Sequence, residues 1–270
     1  MVCSEKDYKI ALVSNIIMKI AHISDIHSNL GSDFNAVAFD KAANMLNSID
    51  KDIVFISGDL TTEGLLAEYE MVQEKLKQIH GKKIVIPGNH DERNLGYQLF
   101  PEFFGSSTNL YEFDELQILG LASSEPDKND GRLGRRRHLQ IQDALQNQKK
   151  MTILGFHHHL IPVPNSGRET NILEDAGETL DIILKNNVPL VLMGHRHVPY
   201  AVKIHNTLLV NAGTFSSNRT RAHFGHTFNI IEVNDSCIEV SVVCVESETV
   251  TKMVKYDIAK EIYTNRYIDG

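Results

Sequence analysis

The stretch MKIAHIS, residues 18–24, begins the alternation that decides the fold class of this 270-residue chain. Two further short apolar runs follow it, DIVFIS at 52–57 and KKIVIP at 82–87. Between the runs, apolar residues recur at helical spacing, which predicts helices over 36–48 and 65–80. Alternating strands and helices predict right-handed crossovers and a parallel sheet.

The apolar stripes of the two helices predict which side chains face the core. On this basis Val37 in the first helix, and Leu65 and Leu66 in the second, are expected to be buried. Helical residues are also expected over 94–104 after the third strand.

The rest of the chain predicts further α/β alternation and then a β-rich end. Its predicted elements, in order, are two strands within 110–122, an exposed loop over 124–135, a helix over 138–149, a strand at 151–156, a helix near 174–187 and a strand at 189–194. From about residue 198 the apolar runs are typical of strands without intervening helices, with a short strand or helix near 251–266. The predicted class is α/β, with both halves packed as one domain over 18–270.

Residues 1–17 are predicted to be an N-terminal extension outside the core fold. Their apolar run, YKIALVSNII at 8–17, is interrupted by Ser14 and Asn15, and no small-residue cleavage site follows it. The run is also too short to span a bilayer. Met18 stands directly before the first strong strand.

The bulk composition favours a soluble globular protein. Apolar residues make up 42% of the chain and charged residues 23%, which is ordinary for a globular protein. The net charge of −8 disfavours nucleic acid as a partner, and no membrane partner is expected. Three cysteines without a CxxC pair suit a reducing compartment, so a cytoplasmic location is expected. An exposed strand edge in the β-rich part could support a homo-oligomer.

Five short polar motifs, each directly after a predicted strand, carry the chemistry. They are Asp25-Ile26-His27, Gly58-Asp59, Gly88-Asn89-His90-Asp91, His157-His158-His159 and Gly194-His195-Arg196-His197. Singly, such motifs are typical of helix caps or turns. However, Asp, Asn and His together are ligands for divalent first-row metals, and open α/β sheets bind ligands at their strand carboxyl ends. Five motifs in series therefore indicate a two-metal hydrolase.

The order D-x-H, G-D, G-N-H-[DE], H, G-H-x-H resembles that of the calcineurin-like metallophosphoesterases, over residues 18 to about 245. The resemblance implies a four-layer α-β-β-α sandwich with a dinuclear metal centre. The two ions could be Mn, Fe, Zn or Co, since ligand type does not decide among them. In the family pattern one ion is held by Asp25, His27, Asp59 and His197, and the second by Asn89, His157 and His195, with Asp59 bridging both.

The resemblance also implies roles for residues beside the ligands. His90 would protonate the leaving alkoxide or stabilise transition-state charge, and Asp91 would orient the His90 imidazole or raise its basicity. The triple histidine leaves one assignment open. His157 is the expected ligand and His158 the alternative, while His159 either faces the substrate or is a loop histidine.

Candidate substrate contacts lie just past the motifs. Asn29 follows the first motif and Arg93 follows the third, so either could approach a phosphate. Arg168, Arg219 and Arg221, in loops after later strands, could hold a substrate anion.

Departures from related motifs narrow the predicted reaction. Phosphoprotein phosphatases carry an Asp-Arg-Gly arrangement after their Gly-Asp motif, and this chain lacks it after Gly58-Asp59. Its GDLT and GNHD-x-R runs instead resemble those of the cyclic-nucleotide and glycerophosphodiester phosphodiesterase branch. The expected reaction is hydrolysis of a small phosphodiester, or of a small phosphomonoester, by in-line attack of a metal-bound hydroxide. The alternatives are a nuclease with the same metal motifs, disfavoured by the negative charge, and a non-catalytic scaffold on the same fold, disfavoured by the filled ligand positions.

Overall fold

A computed structural model describes residues 16–146, 150–167, 170–258 and 262–265 of the protein. Within these ranges the chain forms thirteen strands and five helices. In order they are β1 (Ile16–Ile23), α1 (Ala36–Ser48), β2 (Ile53–Ile56), α2 (Leu66–Leu76), β3 (Lys82–Val85), α3 (Gly96–Phe104), β4 (Asn109–Glu112), β5 (Leu116–Gly120), α4 (Gly134–Gln146), β6 (Met151–Gly155), α5 (Ala176–Lys185), β7 (Leu190–Met193), β8 (Tyr200–Ile204), β9 (Thr207–Asn211), β10 (Thr227–Asn234), β11 (Cys237–Cys244), β12 (Thr249–Asp257) and β13 (Ile262–Asn265).

The strands form two mixed sheets. The first has the order β13-β12-β11-β10-β1-β2-β3, and the second has the order β4-β5-β6-β7-β9-β8. The neighbours β1, β2 and β3 are parallel, as are β5, β6, β7 and β9. The other pairs are antiparallel. The predicted parallel arrangement is therefore found in β1, β2 and β3 at one end of the first sheet, and in β5, β6, β7 and β9 in the middle of the second.

Alternating side chains of β2 show how the layers pack. Val54 and Ile56 lie in one apolar cluster with residues of α1, α2 and α3. Ile53 and Phe55, on the opposite face of the strand, lie in a second cluster with residues of β5, β6 and β7. That second cluster extends to Ile141 of α4. The order of layers is helix, sheet, sheet, helix, so the predicted four-layer α-β-β-α sandwich is confirmed.

The predicted β-rich end is confirmed within the described residues, since β8 to β13 follow β7 without an intervening helix. The structure adds how these strands pair: β10 pairs antiparallel with β1, and β11, β12 and β13 extend the first sheet from there. The first and the last described strands, β1 and β13, thus belong to one sheet. Strand periodicity is local and contains no information about which strands pair.

Three details of the helices and the chain start are corrected. Val37 is 80% exposed, and Leu65 and Leu66 are also exposed, because α1 and α2 turn other side chains toward the sheet. Helix α4 begins at Gly134, so the end of the predicted 124–135 loop is helical; residues 147–149 of the predicted helix lie outside the described residues. Strand β1 begins at Ile16, so residues 16 and 17 belong to the sheet rather than to the predicted extension, and residues 1–15 lie outside the described residues.

The topology brings the five motifs to one edge of the molecule. They follow the carboxyl ends of β1, β2, β3, β6 and β7, three of which belong to the first sheet and two to the second. Because each set of strands is parallel, their ends share an edge, and the packed sheets bring the two edges together. Across the described part of the chain, no helix is both long enough and apolar enough to span a membrane.

Candidate metal centre

One group of potential ligands is formed by the first and fifth motifs. His197 Nε2 lies 3.2 Å from Asp25 Oδ1, and His27 Nε2 lies 3.8 Å from the same oxygen. The two imidazole nitrogens are 3.1 Å apart. All three residues are buried, so a carboxylate and two imidazoles converge on one point shielded from water.

A second group is formed by the second, third, fourth and fifth motifs. Asn89 Oδ1 lies 2.9 Å from His195 Nδ1 and 3.2 Å from His157 Nε2. These two ring nitrogens are 3.2 Å apart. Asp59 completes the group, with its Oδ2 at 3.3 Å from His157 Nε2.

Asp59 connects the two groups. Its Oδ2 is 3.3 Å from His157 Nε2 in the second group and 3.5 Å from His27 Nε2 in the first. Its Oδ1 accepts a hydrogen bond from the backbone N–H of His90 at 2.9 Å, which fixes the rotation of the carboxylate. One oxygen therefore faces both groups at once.

The backbone is left-handed at many of these positions. Five of the converging residues have positive φ, namely Asp25 (54°), His27 (51°), Asp59 (53°), His195 (73°) and His197 (55°). Such a conformation costs an L-residue about 1–2 kcal/mol. Strain of this kind clusters at functional sites, where the surrounding structure holds it in place. Here the N–H of Asp25 donates to the Gly58 carbonyl, and the N–H of His27 donates to that of Asp59.

Two motif glycines allow the loops to approach one another. A Cβ on Gly88 would lie 2.2 Å from Asp59 Oδ1 and 2.8 Å from His157 Cε1. A Cβ on Gly194 would lie 2.0 Å from Ser24 Oγ. Real Cβ contacts are not this short. Only glycine therefore fits at these two positions while the loops stay at their present separation.

The converging side chains are suited to divalent cations. Asp25 Oδ1 is buried and has no hydrogen-bond partner within the described residues. In each group two imidazole nitrogens also face each other at hydrogen-bonding distance, where at most one of each pair can donate. A cation between these lone pairs would compensate the buried oxygens and nitrogens, and carboxylate, amide and imidazole are ligands that divalent metals accept.

The buried carboxylates and imidazoles of the two groups shift one another's pKa values. Burial favours the neutral form of Asp59, but the His157 and His90 imidazoles outweigh it and hold the pKa of the carboxyl well below its usual range. Burial likewise opposes protonation of His157, but the Asp59 and Asp25 carboxylates outweigh it and raise the pKa of the imidazole to about 9. A proton on His157 therefore compensates part of the carboxylate charge at neutral pH.

The structure separates the three neighbouring histidines. His157 joins the second group, and its Nδ1 lies 2.7 Å from the Ser57 carbonyl, which turns Nε2 toward Asp59. His158 lies outside the groups, with its Nδ1 at 2.8 Å from Ser123 Oγ and its Nε2 at 3.1 Å from the Asn129 carbonyl.

His159 lies beneath a potential ligand rather than at the open face. Only 1% of its surface is exposed, and its ring stacks on that of His195 at a centroid distance of 5.5 Å. Burial lowers the pKa of its imidazole to about 3, so this ring is neutral. Its contact with substrate stays a prediction, and its position favours support of the His195 ring.

His90 is oriented by a backbone carbonyl. Its Nδ1 lies 2.6 Å from the Thr62 oxygen, and its ring meets that of His27 edge-on, with 4.6 Å between centroids. The predicted contact between Asp91 and the His90 imidazole is wrong, because the Asp91 carboxylate is turned toward the second motif. Thr62 therefore has the orienting role that the sequence assigned to Asp91.

Asp91 holds the second and third motifs together. Its carboxylate accepts from the backbone N–H groups of Gly88, Leu60 and Thr61, and from the Thr61 hydroxyl at 2.9 Å. Burial and the nearby Asp59 carboxylate raise the pKa of Asp91 to about 7 against the effect of the backbone donors. Asp91 thus acts on the site through the backbone.

The predicted substrate contacts have mixed positions. Asn29 Oδ1 accepts from the N–H groups of Gly31 and Phe34, so it forms a local turn. Arg219 forms an ion pair with Asp33, Arg221 is exposed, and Arg168 lies outside the described residues.

Arg93 lies beside the site but contacts protein groups. Its guanidinium donates to the Thr62 carbonyl, to Glu63 Oε1 at 3.0 Å and to Asn129 Oδ1 at 2.9 Å. Asn129 was missed by the sequence-based reasoning. It stands in the polar segment 124–135, and no local signal distinguishes it from the other loop residues.

Comparison with known proteins identifies the family. The family profile of the calcineurin-like phosphoesterases matches residues 18–199. The chain belongs to this family of metal-dependent phosphoric ester hydrolases, which confirms the resemblance seen in the motifs.

Curated relatives carry phosphodiesterase names. A protein of Coxiella burnetii named probable cyclic nucleotide phosphodiesterase is 29% identical over 204 residues, which cover 72% of this chain and 82% of that protein. A protein of Arcobacter nitrofigilis named probable glycerophosphodiester phosphodiesterase is 30% identical over 196 residues, which cover 67% of this chain and 72% of that protein.

Solved structures share the fold at low identity. Purple acid phosphatase from yellow lupin matches with a TM-score of 0.69 and 14% identity over 88% of this chain and 53% of that chain, so this chain spans about half its length. GAP50, described as the anchor in the inner membrane complex of Plasmodium, matches with a TM-score of 0.66 and 12% identity over 93% of this chain and 91% of that chain. Because these matches are with a phosphatase and an anchor protein, function must be argued from the site.

Proposed function

We propose that this protein is a dinuclear metal-dependent phosphodiesterase acting on small phosphodiesters of the cyclic-nucleotide or glycerophosphodiester type. The observation that carries the proposal is the single Asp59 oxygen that faces two groups of buried ligand atoms. The first cation would be held by Asp25, His27, Asp59 and His197, and the second by Asp59, Asn89, His157 and His195. The metal pair would come from Mn, Fe, Zn and Co.

Two cations held by these residues would supply an activated water and would neutralise charge on the phosphoryl oxygens. The protein's own contribution is to hold the ligands rigidly. Asp59 is fixed through the N–H of His90, and His157 is fixed through the Ser57 carbonyl. Rigid positioning of this kind lowers the reorganisation needed in the transition state.

His90 is the proposed proton donor to the leaving alkoxide. It lies close to His27 and Asp59, with which it forms a further potential ligand group, but its Nδ1 is occupied by the Thr62 carbonyl at 2.6 Å. With Nδ1–H donated to that carbonyl, Nε2 remains the nitrogen that exchanges a proton with the substrate. Asp91 is proposed to act as a positioning residue for the loops that carry His90 and Asp59.

The substrate class rests on the relatives and on the motifs. The two relatives described above are named for cyclic nucleotide and glycerophosphodiester hydrolysis. The run Gly58-Asp59-Leu60-Thr61, without a following Asp-Arg-Gly, supports the same branch. Free Cys237 and Cys244 are consistent with a cytoplasmic location.

The test is a metal-reconstituted assay with the full chain. Samples loaded with Mn²⁺, or with Fe and Zn, are given a bis(aryl) phosphate, an aryl monophosphate, 2′,3′- and 3′,5′-cyclic nucleotides and a glycerophosphodiester. We expect the diesters to be turned over faster than the monoester. Asp59→Asn serves as the inactive control, because it weakens the carboxylate shared by both groups. No turnover of any ester would overturn the proposed activity, and a monoester preference would identify a phosphomonoesterase instead.

A further inference from the structure

We propose that Asn129, in the loop between β5 and α4, is a positioning residue that fixes the orientation of the Asn89 amide toward the second cation. The inference rests on the proposed function, because it assumes a cation among Asn89, His157 and His195. It concerns a residue outside all five motifs, in a loop that the sequence left without a role.

The Asn89 amide has two orientations, and only one of them can bind a cation. Its Oδ1 carries lone pairs, whereas its Nδ2 carries only hydrogens. In the structure Oδ1 points into the second group, at 2.9 Å from His195 Nδ1 and 3.2 Å from His157 Nε2. Rotation by 180° would direct two N–H bonds at the cation. Something must therefore favour the first orientation.

Asn129 supplies an acceptor for the other end of the amide. Asn89 Nδ2 donates to Asn129 Oδ1 at 3.4 Å. The same oxygen accepts from Arg93 Nη2 at 2.9 Å, and Arg93 is paired with Glu63 at 3.0 Å. Because Arg93 is a pure donor, it fixes the Asn129 amide with its oxygen toward Asn89. The orientation of one amide thereby determines that of the next.

The loop that carries Asn129 is attached to the middle histidine of the triple run. His158 Nε2 lies 3.1 Å from the Asn129 carbonyl, and its Nδ1 lies 2.8 Å from Ser123 Oγ. A Cβ on Gly131 would lie 2.2 Å from the His158 ring, so glycine allows the loop to close on that ring. His158 is thus connected to the second group through Asn129, while His157 contacts it directly.

The experiment measures Mn²⁺ binding to the full-length chain by isothermal titration. Asn129→Ala removes the acceptor, and Asn129→Asp keeps an oxygen in its place. Asn171→Ala is the matched control, since Asn171 Nδ2 donates to the Asn129 backbone carbonyl at 3.5 Å rather than to the Asn129 side-chain amide that faces Asn89. We expect wild type and Asn171→Ala to bind two ions alike. In Asn129→Ala one of the two ions should bind about 10–100-fold more weakly, as is usual when a partner of a metal ligand is lost, and Asn129→Asp should restore binding.

A merely structural role would give a different result. It predicts a lower melting temperature in EDTA for Asn129→Ala and equal weakening of both ions, whereas the proposal expects an unchanged melting temperature without metal. Wild-type affinity at both sites in Asn129→Ala, or failure of Asn129→Asp to rescue, would overturn the inference while leaving the proposed function intact. Absence of Mn²⁺ binding by the wild-type chain would overturn the metal centre itself, and this inference with it.

Discussion

Replacement of Gly88 by alanine is the sharpest test of how the site is assembled. The added Cβ would lie 2.2 Å from Asp59 Oδ1, 2.4 Å from the Asp59 backbone nitrogen and 2.8 Å from His157 Cε1. Ordinary carbon contacts are about 3.5–4.0 Å, so the loops must separate by roughly 1.3 Å. Two of the three obstructing groups belong to Asp59, the carboxylate shared by both ligand groups.

The expected magnitudes follow from this displacement. Overpacking of a rigid site costs about 1–3 kcal/mol, and we place Gly88→Ala near the upper value because one obstructing atom is backbone. With an unfolding entropy of about 2.1 cal/mol/K per residue, 3 kcal/mol corresponds to a melting temperature roughly 5 °C lower. A displacement of about 1 Å in a catalytic group also lowers the rate by about 100-fold.

The assay compares thermal unfolding in EDTA, Mn²⁺ titration and kcat/KM for a bis(aryl) phosphate. Gly177→Ala in α5 is the matched control, because nothing lies within 4 Å of its added Cβ. That variant should be stabilised by up to about 1 kcal/mol, since alanine favours the helix, and its kinetics should not change. The reasoning is refuted if Gly88→Ala binds both ions and turns over substrate like wild type.

Three further outcomes are expected. Asn89→Ala should lower the metal content, whereas His90→Ala should keep both ions and lower kcat by about 10²–10⁴-fold. Metal analysis and steady-state kinetics measure the two effects. Metal loss in His90→Ala at an unchanged rate per loaded site would contradict the role of His90 as proton donor. Removing metal should lower the melting temperature, because each ion contributes about 2.7 kcal/mol of stability when its free concentration is 100 times its Kd. Equal melting curves with Mn²⁺ and with EDTA would argue against metal binding. Burial raises the pKa of the Glu92 carboxyl to about 7, above the value of about 4.5 in the unfolded chain. The folded protein therefore favours the neutral carboxyl, and this contribution to stability is fully present below about pH 4.5 and is lost as the pH rises through about 7. Urea unfolding in EDTA should therefore show Glu92→Gln gaining about 2.5 kcal/mol relative to wild type between pH 5 and pH 8, and parallel pH profiles would refute this cause.

The sequence predicted most of the ligand groups because their signal is local. Residues such as Asp25 and Asp59 directly follow strands, and parallel strands of one sheet end at a common edge whatever the rest of the chain does. The residue types were also informative by themselves, since Asp, Asn and His bind metals through atoms that do not depend on context. The joining of β10 to β1 was not predictable in this way, because the hydrophobic period of a strand does not specify its neighbour.

The sequence by itself determined the fold class, the family and the strand ends at which polar side chains gather. Only the tertiary structure decided which of three adjacent histidines joins the second group, and that Thr62 rather than Asp91 orients His90. It also revealed Asn129, whose contact with Asn89 spans forty positions in the chain. The physical reason is that residue type and periodicity are local properties, whereas a hydrogen-bond partner depends on how distant loops meet in space.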